Sequence, residues 1–286
     1  MMYRLSNSWE LFKASANVLW SDKALMIFPI ISAVGTVIVT ATFMLPLFAA
    51  NLFDAALSGR AEIFGLVVLF LFYVVQYLVI FFANTALVGA ALMRLRGGHP
   101  TVADGFSVAI DHFWAIFGYA LIAATVGMLL KAFSRRRNGL GRMVASLLGF
   151  GWTIATFLVV PVLAVENVGP VEAIKRSVAL LKKTWGEEVA GQLGLGVIFG
   201  VAGFMVMVVG IFATIAAASI TNSLALPIGI ALLFVLALVL LGLVNSALTG
   251  IYTAAVYNYA VEGNAGHFFD EALVKNTFSV PANRFL

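Results

Sequence analysis

The first candidates for chemistry are the amides inside the long apolar stretches of this 286-residue chain. They are Gln76, Asn84, Gln192 and Asn245. An amide in hydrocarbon without a hydrogen-bond partner costs several kcal/mol, so each must meet a neighbouring helix or a polar cavity. We expect helix–helix hydrogen bonds, worth about 0.6–2 kcal/mol per pair. The alternative is that Asn84 and Asn245 face each other and line a central cavity.

Residue patterns typical of an enzyme are missing from the sequence. There is no cysteine, and the three histidines, His99, His112 and His267, lack the spacing of a metal site. No charged residue lies near the middle of an apolar stretch, where a charge usually marks a proton relay or a transport site. We therefore expect a non-enzymatic protein with no catalytic, cofactor or metal site.

A charged amphipathic segment begins at Pro170. Its apolar residues recur at helical spacing and its other face is charged. With the preceding Glu166, that face comprises Glu172, Lys175, Arg176, Lys182 and Lys183. Such a segment predicts either a helix lying at the lipid headgroups or a docking face for a partner protein.

Composition places these segments in a membrane. The chain is 62% hydrophobic and only 10% charged, whereas soluble domains are about 25% charged. Six apolar stretches reach the roughly 20 residues that a spanning helix needs: 24–50, 63–93, 113–133, 143–165, 189–218 and 224–260. A further amphipathic segment lies within residues 5–20. The predicted fold is one all-α transmembrane domain, 1–286, with six transmembrane helices and two interfacial amphipathic helices.

Basic residues predict the orientation. With the N terminus inside, 11 Lys and Arg lie inside and 6 outside, so both termini are expected in the cytoplasm, beneath a cytoplasmic (inner) membrane. The loop around Arg135–Arg137 opposes this assignment, and its placement stays open. The net charge of +4 then reflects contact with anionic lipid rather than with a nucleic acid.

An internal repeat is indicated by two related segments. Residues 84–89 read Asn-Thr-Ala-Leu-Val-Gly, and residues 245–250 read Asn-Ser-Ala-Leu-Thr-Gly. We predict parallel helix–span–span units at about 5–112 and 166–275, separated by a hairpin at 113–165. Gly196 and Gly200, four residues apart, also predict a close approach between helices.

Several motifs resemble a known family. They are Ser6-Asn7-Ser8-Trp9-Glu10-Leu11, the stretch from Val160 to Glu166, and Tyr257-Asn258-Tyr259-Ala260. The chain resembles an uncharacterised family of bacterial and archaeal six-helix membrane proteins, which implies the fold and no activity. A looser likeness, to the membrane domain of glycerophosphodiester phosphodiesterases, carries over no catalytic residue.

Two functions remain open. The leading hypothesis is a non-enzymatic membrane scaffold or accessory subunit that contacts lipid, a partner protein or a second copy of the chain. The alternative is a transporter or lipid-handling protein with a cavity between the two repeats. A polar cavity there favours transport, and a tightly packed centre with an exposed apolar flank favours a partner.

Overall fold

A computed structural model describes residues 2–49, 62–134, 139–185, 190–221 and 223–263. These residues form helices and no strand, so the predicted all-α fold is confirmed. The helices are α1 (Met2–Ser21), α2 (Ile27–Ala49), α3 (Glu62–Leu95), α4 (Val102–Asp111), α5 (Phe113–Ser134), α6 (Gly139–Ala155), α7 (Val159–Val165), α8 (Pro170–Trp185), α9 (Ala190–Ile220) and α10 (Ala225–Glu262), with a 3-10 helix, Lys23–Met26, before α2.

Six segments of the described chain are long and apolar enough to cross a membrane, as predicted. They are Lys23–Pro46, Ile63–Leu95, Phe113–Ser134, Met143–Val165, Ile198–Ile220 and Ala225–Glu262. The basic loop around Arg135–Arg137 lies outside the described residues. Helix α3 is central to the bundle, because it packs against α2, α4, α5, α7 and α10.

Helices α3 and α10 run parallel to each other. Leu87 of α3 lies against Gly250 of α10, and further along both helices Arg96 forms an ion pair with Glu262, 2.6 Å apart. The carboxyl ends of these two long helices therefore lie at the same end of the molecule.

The burial pattern divides α3 and α10 into two zones. Between residues 63 and 82 only Val74 is buried, whereas ten of the thirteen residues from 83 to 95 are buried. In α10, only Pro227 is buried between 225 and 246, and most residues from 247 to 260 are buried. The residues of these two sections, 63–82 and 225–246, are otherwise exposed or half-buried, and we call them the lipid-exposed sections. They measure about 30 and 33 Å at 1.5 Å per residue, which matches a hydrocarbon core of roughly 30 Å.

The buried sections form a layer of protein at one end of the spans. We define the compact layer as residues 83–95 of α3 and 247–260 of α10, with α4, α7, α8, the 3-10 helix and residues 12–21 of α1. Its largest fully buried side chains include Tyr252, Tyr257, Leu25 and Leu163. The layer holds most of the continuous hydrophobic core, while the rest of the spans expose apolar residues to lipid.

The fourth span is interrupted, although the sequence predicts one helix. Residues 156–158 form a turn between α6 and α7. Pro161 has no N–H, and its ring clashes with the carbonyl four residues before it, so a continuous helix is disfavoured here. The N–H of Leu158 instead donates to Ser177 Oγ of α8, at 3.1 Å, within the core.

The predicted repeat stays a prediction. Both proposed units contain an amphipathic helix followed by two spans, but the two amphipathic helices have different neighbours. Helix α1 packs against α9 and α10, whereas α8 packs against α5, α6, α7 and α10. The single domain and its internal boundaries likewise stay predictions.

The predicted close approach at Gly196 and Gly200 is wrong within the described chain. A Cβ at either residue would meet no described atom within 4 Å. Helix α9 approaches α10 closely at a different glycine, Gly210, where Phe234 Cγ lies 2.7 Å from the position of a Cβ.

Candidate functional site

Glu166 joins three helices of the compact layer. It follows α7 directly, accepts hydrogen bonds from Arg176 Nε of α8 at 3.0 and 3.1 Å, and accepts one from the Tyr257 hydroxyl of α10 at 3.1 Å. Its side chain is only 21% exposed. Glu166 and Arg176, predicted as part of a docking face, thus pair with each other, and the Arg176 side chain remains 45% exposed.

The remaining predicted docking residues are more accessible. Glu172 and Lys175 form an exposed pair at 3.4 Å, and Lys182 is exposed. The side chain of Lys183 lies outside the described residues. The exposed charged face of α8 therefore comprises Glu172, Lys175, Arg176 and Lys182 in the part of the chain that is described.

The opposite face of α8 is covered by protein. Ala173, Ser177, Leu180 and Leu181 are buried, because α8 lies against α5, α6, α7 and α10. Contact is close at the first turn, where a Cβ on Gly118 would lie 2.8 Å from Pro170 Cγ. Helix α8 is therefore part of the folded layer, and its exposed face is held in a fixed position.

A second polar cluster joins α3 to α1. Arg94 donates to the Gly98 carbonyl at 3.0 Å and to Ser21 Oγ at 3.4 Å, and its Nη1 lies 3.0 Å from His99 Nδ1. Together with the pair between Arg96 and Glu262, this cluster fixes the end of α3 to α1 and α10.

The predicted intramembrane amides lie at different depths. Asn84 and Asn245 are half-buried and lie where α3 and α10 pass from lipid-exposed residues into the compact layer. Gln76 lies within the lipid-exposed section, and its Oε1 is buried with no hydrogen-bond partner among the described residues. The side chain of Gln192 is outside the described residues, and a bond between Asn84 and Asn245 stays a prediction.

The crossing of α3 and α10 beside these asparagines is tightly packed. A Cβ on Gly250 would lie 2.5 Å from Leu87 Cδ2 and 3.1 Å from Leu87 Cγ. Leu87 and Leu248 are fully buried at the same level. The two helices therefore touch where a cavity between the predicted repeats would have to lie.

An apolar groove of about 450 Å³ lies elsewhere, between α2, α3, α4 and α5. Its lining residues are Ile31, Gly35, Leu78, Val79, Phe82, Ala83, Phe106, Ile110 and Phe113. We call this the lateral groove. All nine residues are apolar, so the groove can hold hydrocarbon but offers no side chain for acid–base chemistry or for a metal.

Helix α4, which forms one wall of the lateral groove, is not among the helices predicted from the sequence. A signal for it was present: the Thr101 hydroxyl accepts from the Asp104 N–H, and the Asp104 carboxylate accepts from the Thr101 N–H at 2.7 Å, a reciprocal cap that begins the helix. The Asp104 carboxylate accepts hydrogen bonds from the Thr101 N–H and from the Thr101 hydroxyl, each at 2.7 Å, and these two bonds, the backbone one first, lower the pKa of the Asp104 carboxyl below its usual 3.8.

Comparison with family models identifies a match over most of the chain. The model of a family of unknown function, DUF6159, matches residues 63–268. The chain belongs to the DUF6159 family. Searches of the curated proteins and of the solved structures found no match.

The region shared with the DUF6159 family begins with α3 and extends past α10. It contains Glu166 with both of its partners, the exposed face of α8 and three of the four groove walls. The resemblance to an uncharacterised family is thereby supported, while the looser likeness to the phosphodiesterase membrane domain stays a prediction. The DUF6159 match carries no activity.

Proposed function

We propose that this DUF6159 protein is a non-enzymatic membrane scaffold or accessory subunit that engages a partner protein through the compact layer. The observation that carries the proposal is the packed crossing of α3 and α10, where Leu87 fills the space over Gly250. A scaffold needs a rigid folded surface at the membrane and no passage through its centre, and this packing meets that requirement.

The exposed face of α8 is the surface we propose for the partner. Lys175 and Lys182 lie on a helix whose other face is buried, so their positions are set by the fold. Two fixed lysines on this face favour a partner with an acidic surface, because complementary charge speeds and orients association. The partner is thus expected to bind more weakly as salt concentration rises.

We place the compact layer on the cytoplasmic side of the inner membrane. The proposal rests on the excess of Lys and Arg that the N-in topology assigns to that side. A cysteine at Lys23, in the layer, should react with an impermeant thiol reagent only after lysis. A cysteine at Ser223, at the opposite end of the spans, should react in intact cells; the reverse pattern would overturn the placement.

The alternative function is transport or lipid handling through a cavity between the two repeats. It requires α3 and α10 to separate at the level of Leu87 and Gly250. The lateral groove supports contact with lipid at the side of the bundle, which a scaffold also tolerates. The packed crossing of α3 and α10 therefore favours the scaffold over transport.

Charge reversal on α8 tests the proposal. We would purify the wild type, Lys182→Glu and Lys175→Glu/Lys182→Glu in native-lipid particles and quantify copurifying proteins by mass spectrometry. Lys23→Glu is the matched control, since Lys23 is also an exposed lysine of the compact layer. We expect a near-stoichiometric partner that falls about tenfold in the double variant and persists in the control.

Two results would count against the scaffold. One is the absence of any near-stoichiometric protein from wild-type particles. The other is equal retention of the partner by the double variant and by the wild type, which would remove α8 as the surface.

A further inference from the structure

We infer that the lateral groove binds one acyl chain of a bilayer phospholipid. The inference is independent of the proposed partner, because it concerns the lipid-facing side of the bundle and not the exposed face of α8. It rests on the chemistry of the groove walls, the level of the groove in the membrane and the rigidity of its lining.

The chemistry of the walls selects hydrocarbon. All nine lining residues are apolar, so a polar or charged ligand would lose its hydration without gaining a side-chain hydrogen bond. The volume of about 450 Å³ lies within the range of pockets that hold a small ligand.

The level of the groove gives its occupant access from one side only. Leu78, Val79 and Phe82 form its inner wall in the last turns of the lipid-exposed section of α3, and Ala83 is the first residue of the compact layer. Ile31 and Ile110 form its rim and are 42% and 62% exposed. The groove is therefore continuous with the lipid-facing surface, in the leaflet next to the compact layer, and the molecules that reach it are lipids.

Helix α4 sets the depth of the lipid headgroup. Phe106 and Ile110 line the groove, while Asp104, Ser107 and Asp111 on the other side of α4 are exposed. An amphipathic helix in this arrangement lies at the boundary of hydrocarbon and headgroups. A chain in the groove would thus end, toward α4, at the glycerol level of a phospholipid. This level favours a phospholipid over a hydrocarbon buried wholly in the membrane.

The walls of the groove are held in place by aromatic contacts. The Phe106 ring lies 5.3 Å from the Phe28 ring and 6.0 Å from the Phe82 ring, between centroids. The Phe82 and Phe113 rings are 6.3 Å apart. A preformed groove does not have to order its own side chains when a ligand enters, so more of the contact energy appears as affinity.

Filling the groove from its rim tests the inference. Ile31→Trp/Ile110→Trp adds two large side chains at exposed positions and leaves the core intact. Ile211→Trp/Ile215→Trp is the matched control, since both isoleucines are exposed on α9, away from the groove. Palmitoyl-oleoyl phosphatidylethanolamine and phosphatidylglycerol would be titrated separately onto detergent-purified protein, and bound lipids counted by native mass spectrometry.

We expect the wild type and the control to bind one phospholipid saturably, and the filled variant to bind it at least about tenfold more weakly. Preference for one of the two lipids would support the inference and identify the headgroup. Equal binding by the filled variant would overturn it, as would stepwise binding without saturation in every protein. A dimer that the filled variant dissociates would assign the groove to a second copy instead.

A smaller change protects the test against misfolding. Ile110→Asn puts an amide at the rim of the groove without adding bulk, and should also weaken phospholipid binding. Unchanged binding in Ile110→Asn and in a folded Trp variant would overturn the inference. Thermal unfolding midpoints equal to the wild type would show that each variant is folded.

Discussion

At the scale of single residues, Glu166 shows how a residue predicted for contact with a partner can serve the fold. It lies beside an exposed helix in the sequence, which favours an interfacial role. Its actual partners are Arg176 and Tyr257, 10 and 91 residues away. The separation of 91 residues is far longer than the spacing within a helix or a turn, so no local sequence pattern could identify Tyr257 as a partner of Glu166.

Replacing Glu166 tests its structural role. Glu166→Gln keeps one acceptor oxygen but removes the charge that Arg176 meets, and should lower the free energy of unfolding by about 1–2 kcal/mol. Reversible unfolding in mixed micelles measures this loss in the free energy of unfolding. Glu172→Gln is the control and should change stability by less than about 0.5 kcal/mol, because its pair with Lys175 is exposed. Similar losses in both variants would contradict the role.

Asp104 gives a residue-scale dependence on pH. Its pKa is lowered by hydrogen bonds from Thr101, so the cap of α4 is fully present above the usual value of 3.8 and is lost as pH falls through the lowered pKa. NMR Cα shifts of the first turn of α4 should therefore move toward coil values between about pH 5 and about pH 2. Asp104→Asn should abolish this titration; a persisting transition would assign it to another group.

At the scale of the elements, the structure departs most from expectation in the fourth span. A proline within an apolar stretch predicts a kink and not a break in the helix, because neighbouring helices in a membrane often bond the backbone groups that lose their helical partner. Here the partner of the freed N–H comes from α8, since Ser177 bonds Leu158. An amphipathic helix predicted at the membrane surface thus completes a broken span.

Ser177→Ala tests this contact between α7 and α8. It leaves the buried Leu158 N–H without its acceptor and should cost about 1–3 kcal/mol of unfolding free energy. Hydrogen exchange at the Leu158 amide should also become faster. Ser107→Ala, at an exposed position on α4, should remain within about 0.5 kcal/mol of the wild type. Unchanged exchange at Leu158 would show that another group bonds this amide.

Gly250 tests the packing of α3 against α10. Gly250→Ala places a Cβ 2.5 Å from Leu87 Cδ2, and overpacking of this kind should cost about 1–3 kcal/mol. Gly242→Ala is the matched change on the same helix, where a Cβ meets no described atom within 4 Å. Thermal unfolding of the two variants should separate them clearly. Equal unfolding midpoints would mean that α3 and α10 shift to accommodate the added methyl group without losing stability.

The spans could be predicted from the sequence, but the compact layer could not. Ala86, Leu87 and Val88 are as apolar as the residues before them, and hydropathy does not distinguish burial in protein from burial in lipid. The same holds for residues 254–256 of α10. Asn84 and Asn245 mark the transition, yet an amide within an apolar run also predicts a helix–helix bond. The lateral groove depends on tertiary contacts such as that between Phe28 and Phe106.

At the scale of the whole molecule, two zones with different surroundings share the same helices. The exposed sections of α3 and α10 fit the hydrocarbon core, and their buried ends extend beyond it into the compact layer. Side-chain burial therefore predicts a membrane boundary on one side of the protein, near residues 83 and 246.

This boundary predicts the depth of individual positions. Nitroxides on cysteines at Leu71 and Leu236, both exposed in the middle of their sections, should show the greatest collision rates with oxygen in lipid vesicles. A nitroxide at Val261, past the buried end of α10, should collide more with a water-soluble nickel complex. Equal nickel accessibility at all three positions would contradict the two-zone arrangement. The absence of native cysteine makes each label unique.

The position of α1 has a consequence for how the protein is made. Translation produces this helix before α9 and α10, yet it packs against both of them, and Phe12 packs against Phe199. The contacts that α1 makes with α9 and α10 therefore cannot form until those two spans have entered the membrane. Docking of α1 against these spans reports that both have been inserted, and a chain stopped before α9 would leave this part of α1 accessible to chaperones and proteases.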